Sequence, residues 1–392
     1  MLAQHLITKP IFEAIFENYS FAANNPVSLA MQRILDLLER DGEVDQSAAR
    51  HLKHFYDTIC RDVRGIKTSS GKQYVIKELY EQFFKKVFPR TVEKLGIVYT
   101  PIEIVDFILQ SVAEVLQREF GRDISDEDVH IIDPFVGTGT FIARLISSGL
   151  IRPEDLPRKY AGELHANEIV LLAYYVACIN IEHAFHEATA SDGYVPFGGI
   201  CLTDTFQLGE NQDKFPEVAR KVFPKNSQRV EAQQKAKIQV IIGNPPYSVG
   251  QKSANDNAQN QKYQVLENRI KSTYAKLSQA SLVKGLYDSY IKAFRWASDR
   301  LDPQNGGVIC FITNSQWLEG NAQDGFRKSL EREFDKIYVF NLRGAIRGRD
   351  REAAKKEGPN VFNIMTGVAI TMLVKHPASP KNAKQIHPTP PE

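Results

Sequence analysis

A short polar loop, Asn244-Pro245-Pro246-Tyr247, directly follows an apolar run and combines groups that can hold a planar amine. The two prolines fix the backbone and remove N–H donors, so the carbonyls of this loop can point into a cavity. An exocyclic amine such as N6 of adenine could donate to the Asn244 side-chain oxygen and the Pro245 carbonyl, while Tyr247 stacks on the extruded base. A polyproline turn is the purely structural alternative. A WW-domain ligand is disfavoured because no residue separates Pro246 from Tyr247.

A second candidate loop lies upstream, where Asp133-Pro134-Phe135-Val136-Gly137-Thr138-Gly139 joins an apolar run to a helical pattern. Two glycines let the backbone approach a ligand, and the helix start presents free N–H groups. The loop lacks the lysine of a Walker loop, and Ile142 stands where a dinucleotide fingerprint needs Gly or Ala. Asp133 would repel pyrophosphate but could accept a hydrogen bond from an ammonium group, as in S-adenosylmethionine. A tight strand-to-helix turn without a ligand is the alternative.

Two further acids follow the next apolar runs, and both are candidates for an adenosyl ligand. We expect Glu163, after the run at 160–164, to accept the ribose hydroxyls, and Asp204 to accept from an adenine amino group. Leu164 and Phe206 would then cover the faces of the ring. Acids at strand ends are also common as helix caps, so each one alone is weak evidence.

These loops must be positioned by a sheet, because short apolar runs alternate with longer helical patterns from about residue 97 onward. Such alternation predicts βαβ units, a mainly parallel sheet covered on both faces, and ligands at the carboxyl ends of the strands. Residues 1–96 show helical spacing throughout, and a helix is expected from Thr100-Pro101 to about Phe120. We expect strands at 129–133, 160–164, 198–202, 238–242, 308–313, 336–340 and 368–374.

Composition places the chain among ordinary globular proteins. Its 392 residues are 43% apolar and 24% charged, and the net charge of +2 leaves any attraction to nucleic acid to local patches. The four cysteines are far apart, which argues against a disulfide framework or a structural zinc site. No run is long enough to span a bilayer and the N-terminus lacks signal-peptide features, so a cytoplasmic location without membrane contact is expected.

Two basic segments interrupt the alternation and are expected to be mobile loops, 248–285 and 341–358. Their basic residues are interleaved with aromatic ones, a pattern that suits a phosphate backbone with unstacked bases. Solvated loops without a partner are the alternative. The candidate DNA-contacting residues are Lys252, Lys262, Arg269, Lys271, Arg343, Arg347 and Arg349. The tail 376–392 is expected to be extended.

Together these motifs resemble the amino-group DNA methyltransferases that act on adenine N6, whose pattern is a D-P-F-x-G-x-G loop followed by an N-P-P-Y loop. The resemblance covers about residues 97–375. It implies a doubly wound α/β fold with a seven-stranded sheet, its last strand antiparallel, and S-adenosylmethionine as cofactor. It also implies cofactor contacts from Tyr99-Thr100-Pro101, Phe135, Gly137 and Gly139. The motif order looks like the gamma group, in which target recognition follows the catalytic domain.

A more specific resemblance is to the methyltransferase part of single-polypeptide type ISP restriction-modification enzymes. It lies in the sequence of residues 163–182 and in the segments GNPPYS and ITNSQWL. That resemblance implies that residues 1–96 are a helical coupler-like domain and residues 97–375 the methyltransferase domain. It also implies double-stranded DNA as partner, with nuclease, helicase and target-recognition parts supplied by flanking sequence or another chain. The chain departs from the family in lacking a helicase Walker loop upstream and a recognition domain after Val374.

Two other functions stay open at this point. Similar cores with an Asn-Pro-Pro-Tyr loop methylate RNA or protein glutamine, and a shortened chain could serve as a non-catalytic DNA-contacting or assembly module. Neither a metal nor a covalent nucleophile is expected, because catalysis on a weakly basic amine would rest on orientation and hydrogen bonding. The four residues of the Asn244 loop are the expected catalytic set.

Overall fold

The computed structural model describes residues 2, 5–6, 9, 24–40, 100–190, 194–210, 217–247, 262–344, 361–362, 366–377 and 385–388. Its strands form one sheet in the order β3-β2-β1-β4-β5-β7-β6-β8. Neighbours from β3 to β5 are parallel, whereas β7 runs antiparallel to both β5 and β6. The strands are β1 His130–Asp133, β2 Leu164–Glu168, β3 Ile200–Leu202, β4 Ile238–Gly243, β5 Gly307–Asn314, β6 Lys336–Arg343, β7 Val368–Lys375 and β8 Gln385–Pro388.

Helices cover both faces of this sheet, as parallel strands require. The described α-helices are α1 Pro26–Arg40, α2 Ile102–Phe120, α3 Thr140–Ser147, α4 Leu156–Arg158, α5 Leu171–Thr189, α6 Glu217–Val222, α7 Pro224–Lys235, α8 Gln264–Ile270, α9 Ser289–Arg300 and α10 Asp324–Glu333. Single π-helical turns follow α4 and α8, at Lys159–Glu163 and Lys271–Ala275.

The core has two layers, one on each side of the sheet. The first layer packs α2, α3 and α5 against the strands through residues such as Val105, Phe141 and Tyr174. The second packs α9 and α10 through Phe294 and Phe326. The central strands β4 and β5 are buried at every position, which explains why continuous apolar runs marked them in the sequence.

The predicted α/β fold with a mainly parallel seven-stranded sheet and an antiparallel last strand is confirmed, and β8 adds an eighth strand parallel to β6 at the edge. The second strand was predicted too early: residues 159–163 form a π-helical turn, and β2 begins at Leu164. Part of the predicted loop 248–285 is also wrong, because α8 and the following turn make residues 264–275 helical. Residues 248–261 and 345–358 lie outside the described part of the chain.

An N-terminal helix packs directly on the sheet's helical layer. Val27 and Met31 of α1 belong to the first core layer. The Asn25 side-chain oxygen caps α1 by accepting from the backbone N–H groups of Val27 and Ser28 at 3.0 and 3.1 Å. Its amide nitrogen contacts α5, donating to the Tyr174 hydroxyl and the Cys178 sulfur at 3.4 Å each. The Asn25 side chain therefore both caps α1 and links this helix to α5 by hydrogen bonds.

The described residues contain neither a membrane-spanning helix nor a cluster of metal-binding side chains. No described helix is long and apolar enough to cross a membrane. Within the same residues, no group of three His, Cys, Asp or Glu side chains is placed to hold a metal ion. The three described cysteines, Cys178, Cys201 and Cys310, are buried and free.

Substitution of Asn25 tests the attachment of α1. We expect Asn25→Ala to lower the free energy of unfolding by about 1–2 kcal/mol, because it removes a helix cap and two buried bonds. Chemical denaturation measures the change. Arg33→Ala, on the exposed face of the same helix, is the matched control and should stay within about 0.5 kcal/mol of the parent. Equal losses in both variants would contradict the attachment.

Candidate active site

Adjacent parallel strands bring the two sequence motifs together at the carboxyl edge of the sheet. Asp133 is the last residue of β1, and β4, its neighbour, ends at Gly243, one residue before Asn244. Gly243 has φ +151°, and a Cβ atom there would lie 2.6 Å from the Asp133 Oδ1 atom. Only glycine lets the carboxylate sit against this strand end. The loops predicted to bind the cofactor and to perform catalysis are therefore in contact.

The carboxylate of Asp133 is buried with an incomplete set of partners. Its Oδ1 atom accepts from the Phe135 backbone N–H at 3.0 Å, while the buried Oδ2 atom has no partner among the described residues. Burial, together with the negative charge of Glu168, raises the pKa of Asp133 to about 8. An unsatisfied buried oxygen at a ligand-facing loop fits the ammonium group that the sequence predicted here.

The glycine turn after β1 adopts the conformation that its composition predicts. Gly137 and Gly139 have φ values of +55° and +87°, which side chains rarely adopt. A Cβ atom on Gly139 would also lie 3.0 Å from the Ala177 Cα atom, so this glycine allows α5 to approach the turn. The turn is held further by the Thr205 hydroxyl, which donates to the Pro134 carbonyl at 2.5 Å.

Glu163 and Leu164 lie at the wrong end of the sheet for their predicted roles. Glu163 precedes β2, and its carboxylate accepts from Arg158 at 2.6 Å and pairs with the buried Lys159 at 2.8 Å. Burial alone would raise the pKa of Glu163, but these hydrogen bonds lower it. Leu164 is the fully buried first residue of β2. The expectation that this pair binds ribose and covers the adenine is therefore wrong.

Glu168 occupies the position that Glu163 was expected to fill, at the carboxyl end of β2. Its two carboxylate oxygens accept from the backbone N–H groups of Val170 and Gly137 at 2.8 and 2.9 Å. Burial raises the pKa of Glu168 to about 7. Ile169, directly after it, is 50% exposed and could cover a ring. The signal that would have found Glu168 is the acid that ends the run LHANE, which is too polar to be recognised as a strand.

Asp204 lies where it was predicted, just after β3. It caps the short turn Thr205–Gly209 through Oδ1, which accepts from the Phe206 N–H at 3.0 Å, and its Oδ2 atom accepts from the Tyr263 hydroxyl at 2.8 Å. Burial raises the pKa of Asp204. Phe206 packs against Phe135 and Tyr263, with ring centroids 5.4 and 5.3 Å apart. Tyr263 thus belongs to this acid and not to an exposed surface, a role that sequence reasoning missed.

The Asn244 loop presents an amide held at both ends. Its Nδ2 atom donates to the Thr100 hydroxyl at 3.1 Å, and its Oδ1 atom accepts from the Tyr247 hydroxyl at 2.7 Å. Tyr247 packs beside the second core layer, and burial raises its pKa. Pro245 is buried and Pro246 partly so. Thr100 stands immediately before Pro101, the residue that precedes α2.

The candidate DNA-contacting residues differ in their surroundings. Lys262 and Lys271 are exposed on either side of α8, and Arg343 is exposed at the end of β6. Arg269 is also exposed, but its guanidinium pairs with Asp299 through two bonds of 3.0 and 2.7 Å. The remaining predicted site residues lie outside the described part of the chain: Tyr99, Lys252, Arg347 and Arg349.

Comparisons with known proteins agree on one group of enzymes. The family model for the coupler domain of Type ISP restriction-modification enzymes matches residues 1–71, and the Eco57I restriction-modification methylase model matches residues 175–344. The chain is similar to the DNA-bound, ATP-dependent Type ISP restriction-modification enzyme LlaBIII, with 47% identity and a TM-score of 0.90 over 99% of this chain and 26% of that one.

Two more solved structures are similar over nearly the whole chain. A nuclease-deletion mutant of the Type ISP enzyme LlaGI with a DNA substrate mimic has 45% identity and a TM-score of 0.88, over 99% of this chain and 31% of that one. A DrdV–DNA complex has 35% identity and a TM-score of 0.86, over 100% and 37%. The chain therefore spans only about a quarter to a third of the length of these relatives. No curated protein sequence matches it.

We expect the buried carboxylate of Asp133 to lower the stability of the ligand-free protein and to strengthen ligand binding. Because its pKa is raised from the usual value near 4 to about 8, the folded state loses stability relative to the unfolded state as pH rises across that interval. Asp133→Asn removes this titration. We expect the ligand-free variant to be more stable than the parent at pH 8, with the advantage shrinking towards pH 4.

Thermal unfolding at several pH values measures this difference, and calorimetry with S-adenosylmethionine measures affinity. The variant should bind the cofactor more weakly, because an amide cannot pair with an ammonium group as a carboxylate does. A variant that is less stable at pH 8, or that binds the cofactor as well as the parent, would contradict the role of the buried carboxylate.

Proposed function

The chain belongs to the Type ISP restriction-modification enzymes, and from this premise we propose that it is an S-adenosylmethionine-dependent DNA methyltransferase. The acceptor is N6 of an adenine flipped out of the duplex. The observation that carries the proposal is the contact between the Asp133 and Asn244 loops, which brings a buried carboxylate close to an amide whose oxygen could accept from an amine.

The residues at the carboxyl edge fit the cofactor part by part. Asp133 would accept from its ammonium group, Glu168 from its ribose hydroxyls and Asp204 from its adenine amino group. Ile169 and Phe206 flank the last two acids and supply apolar cover for the ring. The cofactor supplies an electrophilic methyl group on a sulfonium centre. Burial raises the pKa of each of these three acids, and hydrogen bonds from one bound ligand would offset the cost of burying them.

Catalysis by this chain consists of holding the acceptor amine. The Asn244 Oδ1 atom and the Pro245 carbonyl accept the two N6 hydrogens, which leaves the nitrogen lone pair directed at the methyl group. In the structure Oδ1 already accepts from the Tyr247 hydroxyl at 2.7 Å, so an incoming base must replace that bond. Released from Asn244, the Tyr247 ring can stack on the base.

Two observations support DNA as the substrate: the similarity to structures described with DNA, and exposed basic side chains on this chain. The structures of LlaBIII, LlaGI and DrdV are described with DNA or a DNA mimic. The exposed side chains of Lys262, Lys271 and Arg343 are available to phosphates. We propose that nuclease, helicase and target-recognition parts are supplied by flanking sequence or another chain, since the relatives are three to four times longer.

Transfer of a labelled methyl group to mixed plasmid DNA tests the function. We expect label in N6-methyladenine and its loss by at least about 100-fold in Asn244→Ala, with cofactor affinity retained, because the amine loses its side-chain acceptor. Asn305→Ala is the matched control, since this exposed asparagine lies before β5 at the opposite edge of the sheet. Cofactor binding without label in DNA, but with label in RNA or in protein glutamine, would replace the proposed acceptor.

A pair of glutamates tests where the cofactor binds. Glu168→Gln should weaken S-adenosylmethionine binding about 10-fold or more, because it replaces a carboxylate that accepts from both ribose hydroxyls. Glu163→Gln should keep the affinity but lower the thermal stability, because the buried Lys159 loses its counter-charge. Calorimetry and thermal unfolding separate the two effects. Weakened binding in Glu163→Gln with normal binding in Glu168→Gln would reverse the assignment.

A further inference from the structure

We propose that Thr100 is a positioning residue that fixes the orientation of the Asn244 amide, so that its oxygen and not its nitrogen faces the acceptor amine. The inference rests on the proposed function and goes beyond the cofactor contact that the resemblance implies for Thr100. Its basis is the hydrogen bond from Asn244 Nδ2 to the Thr100 hydroxyl oxygen, 3.1 Å long and formed between residues 144 positions apart.

Thr100 is suited to hold a partner in place because its own backbone and side chain are restrained. It is 6% exposed and precedes Pro101, which limits it to an extended conformation. Pro101 begins α2 by accepting from the backbone N–H groups of Ile104 and Val105 at 3.1 Å each. The β-branched side chain of threonine also has few rotamers. The hydroxyl is therefore held next to the start of α2, one face of which is buried in the core.

Orientation matters because the two ends of an amide have opposite hydrogen-bonding character. With Nδ2 at Thr100, the Oδ1 atom accepts from an amine hydrogen. A flipped Asn244 would direct two N–H donors at a group that is itself a donor, and the amine hydrogen would have no acceptor. The two orientations therefore differ in whether the nitrogen lone pair can be presented to the methyl group.

Tyr247 cannot fix the orientation throughout the reaction. Its hydroxyl donates to Oδ1 in the structure, but the incoming base takes over that acceptor. From that moment the bond in which the Thr100 hydroxyl accepts from Nδ2 is, among the described residues, the side-chain hydrogen bond that still holds the amide in this orientation. Thr100 thus acts when the acceptor amine is bound, and its loss should affect the transfer step.

Two substitutions separate positioning from cofactor binding. Thr100→Val keeps the shape and removes the hydroxyl, and we expect kcat to fall about 10-fold, a larger change than any in the cofactor Kd, because one hydrogen bond orients the amide. Thr100→Ser retains the hydroxyl and should restore kcat to within about 3-fold of the parent. An unchanged kcat in Thr100→Val, a loss confined to cofactor affinity, or failure of serine to restore the rate would each overturn the proposal.

A spectroscopic measurement tests the bond without using activity. The side-chain amide signals of Asn244 are assigned in a ¹⁵N–¹H spectrum of the full chain by their disappearance in Asn244→Asp. We expect the proton that faces Thr100 to shift upfield in Thr100→Val and not in Thr100→Ser. Unshifted signals in the valine variant overturn the inference, whereas absence of methyl transfer by the parent with the expected shift overturns only the proposed function.

Discussion

The burial of one carboxylate against a glycine at the end of the neighbouring strand is the constraint on which the site depends. Asp133 reaches the Gly243 backbone only because no Cβ atom stands between them. That closeness fixes the separation between the loops after β1 and β4. The buried oxygen costs stability in the free protein, a cost that proteins tolerate where a ligand later supplies the missing partner.

The two ends of β2 show how environment divides the roles of similar acids. At the amino end, Glu163 is neutralised by Lys159 and Arg158 and serves the fold. At the carboxyl end, Glu168 receives only backbone N–H donors and keeps a raised pKa. The charge of Glu163 is already balanced by two basic side chains. Glu168 has only neutral backbone donors among the described residues, so it can still accept hydrogen bonds from a ligand. The two ends of one strand therefore separate a glutamate that stabilises the fold from the glutamate that we propose binds the cofactor.

Motifs made by local backbone requirements could be predicted from the sequence. The glycines at 137 and 139 need positive φ values, and the prolines after Asn244 fix their loop, so both loops were located correctly. Continuous apolar runs located β4, β5 and β7 to within about one residue. The strand LHANE was not predicted because its His, Asn and Glu are polar yet buried, which apolar periodicity cannot indicate. Partners distant in sequence, such as Tyr263 for Asp204 and Thr100 for Asn244, required the fold itself.

The attachment of α1 to α5 has a consequence for how this architecture can be divided or recombined. Helix α5 begins three residues after Glu168, and its first two turns carry Tyr174, Tyr175 and Cys178, the partners of Asn25 and His5. Removal of the N-terminal segment would leave these polar groups of α5 without the partners that they have in the structure. The segment matched by the coupler model therefore does not end at a packing boundary. Exchange of N-terminal segments between relatives therefore has to preserve the packing and hydrogen bonds between α1 and α5.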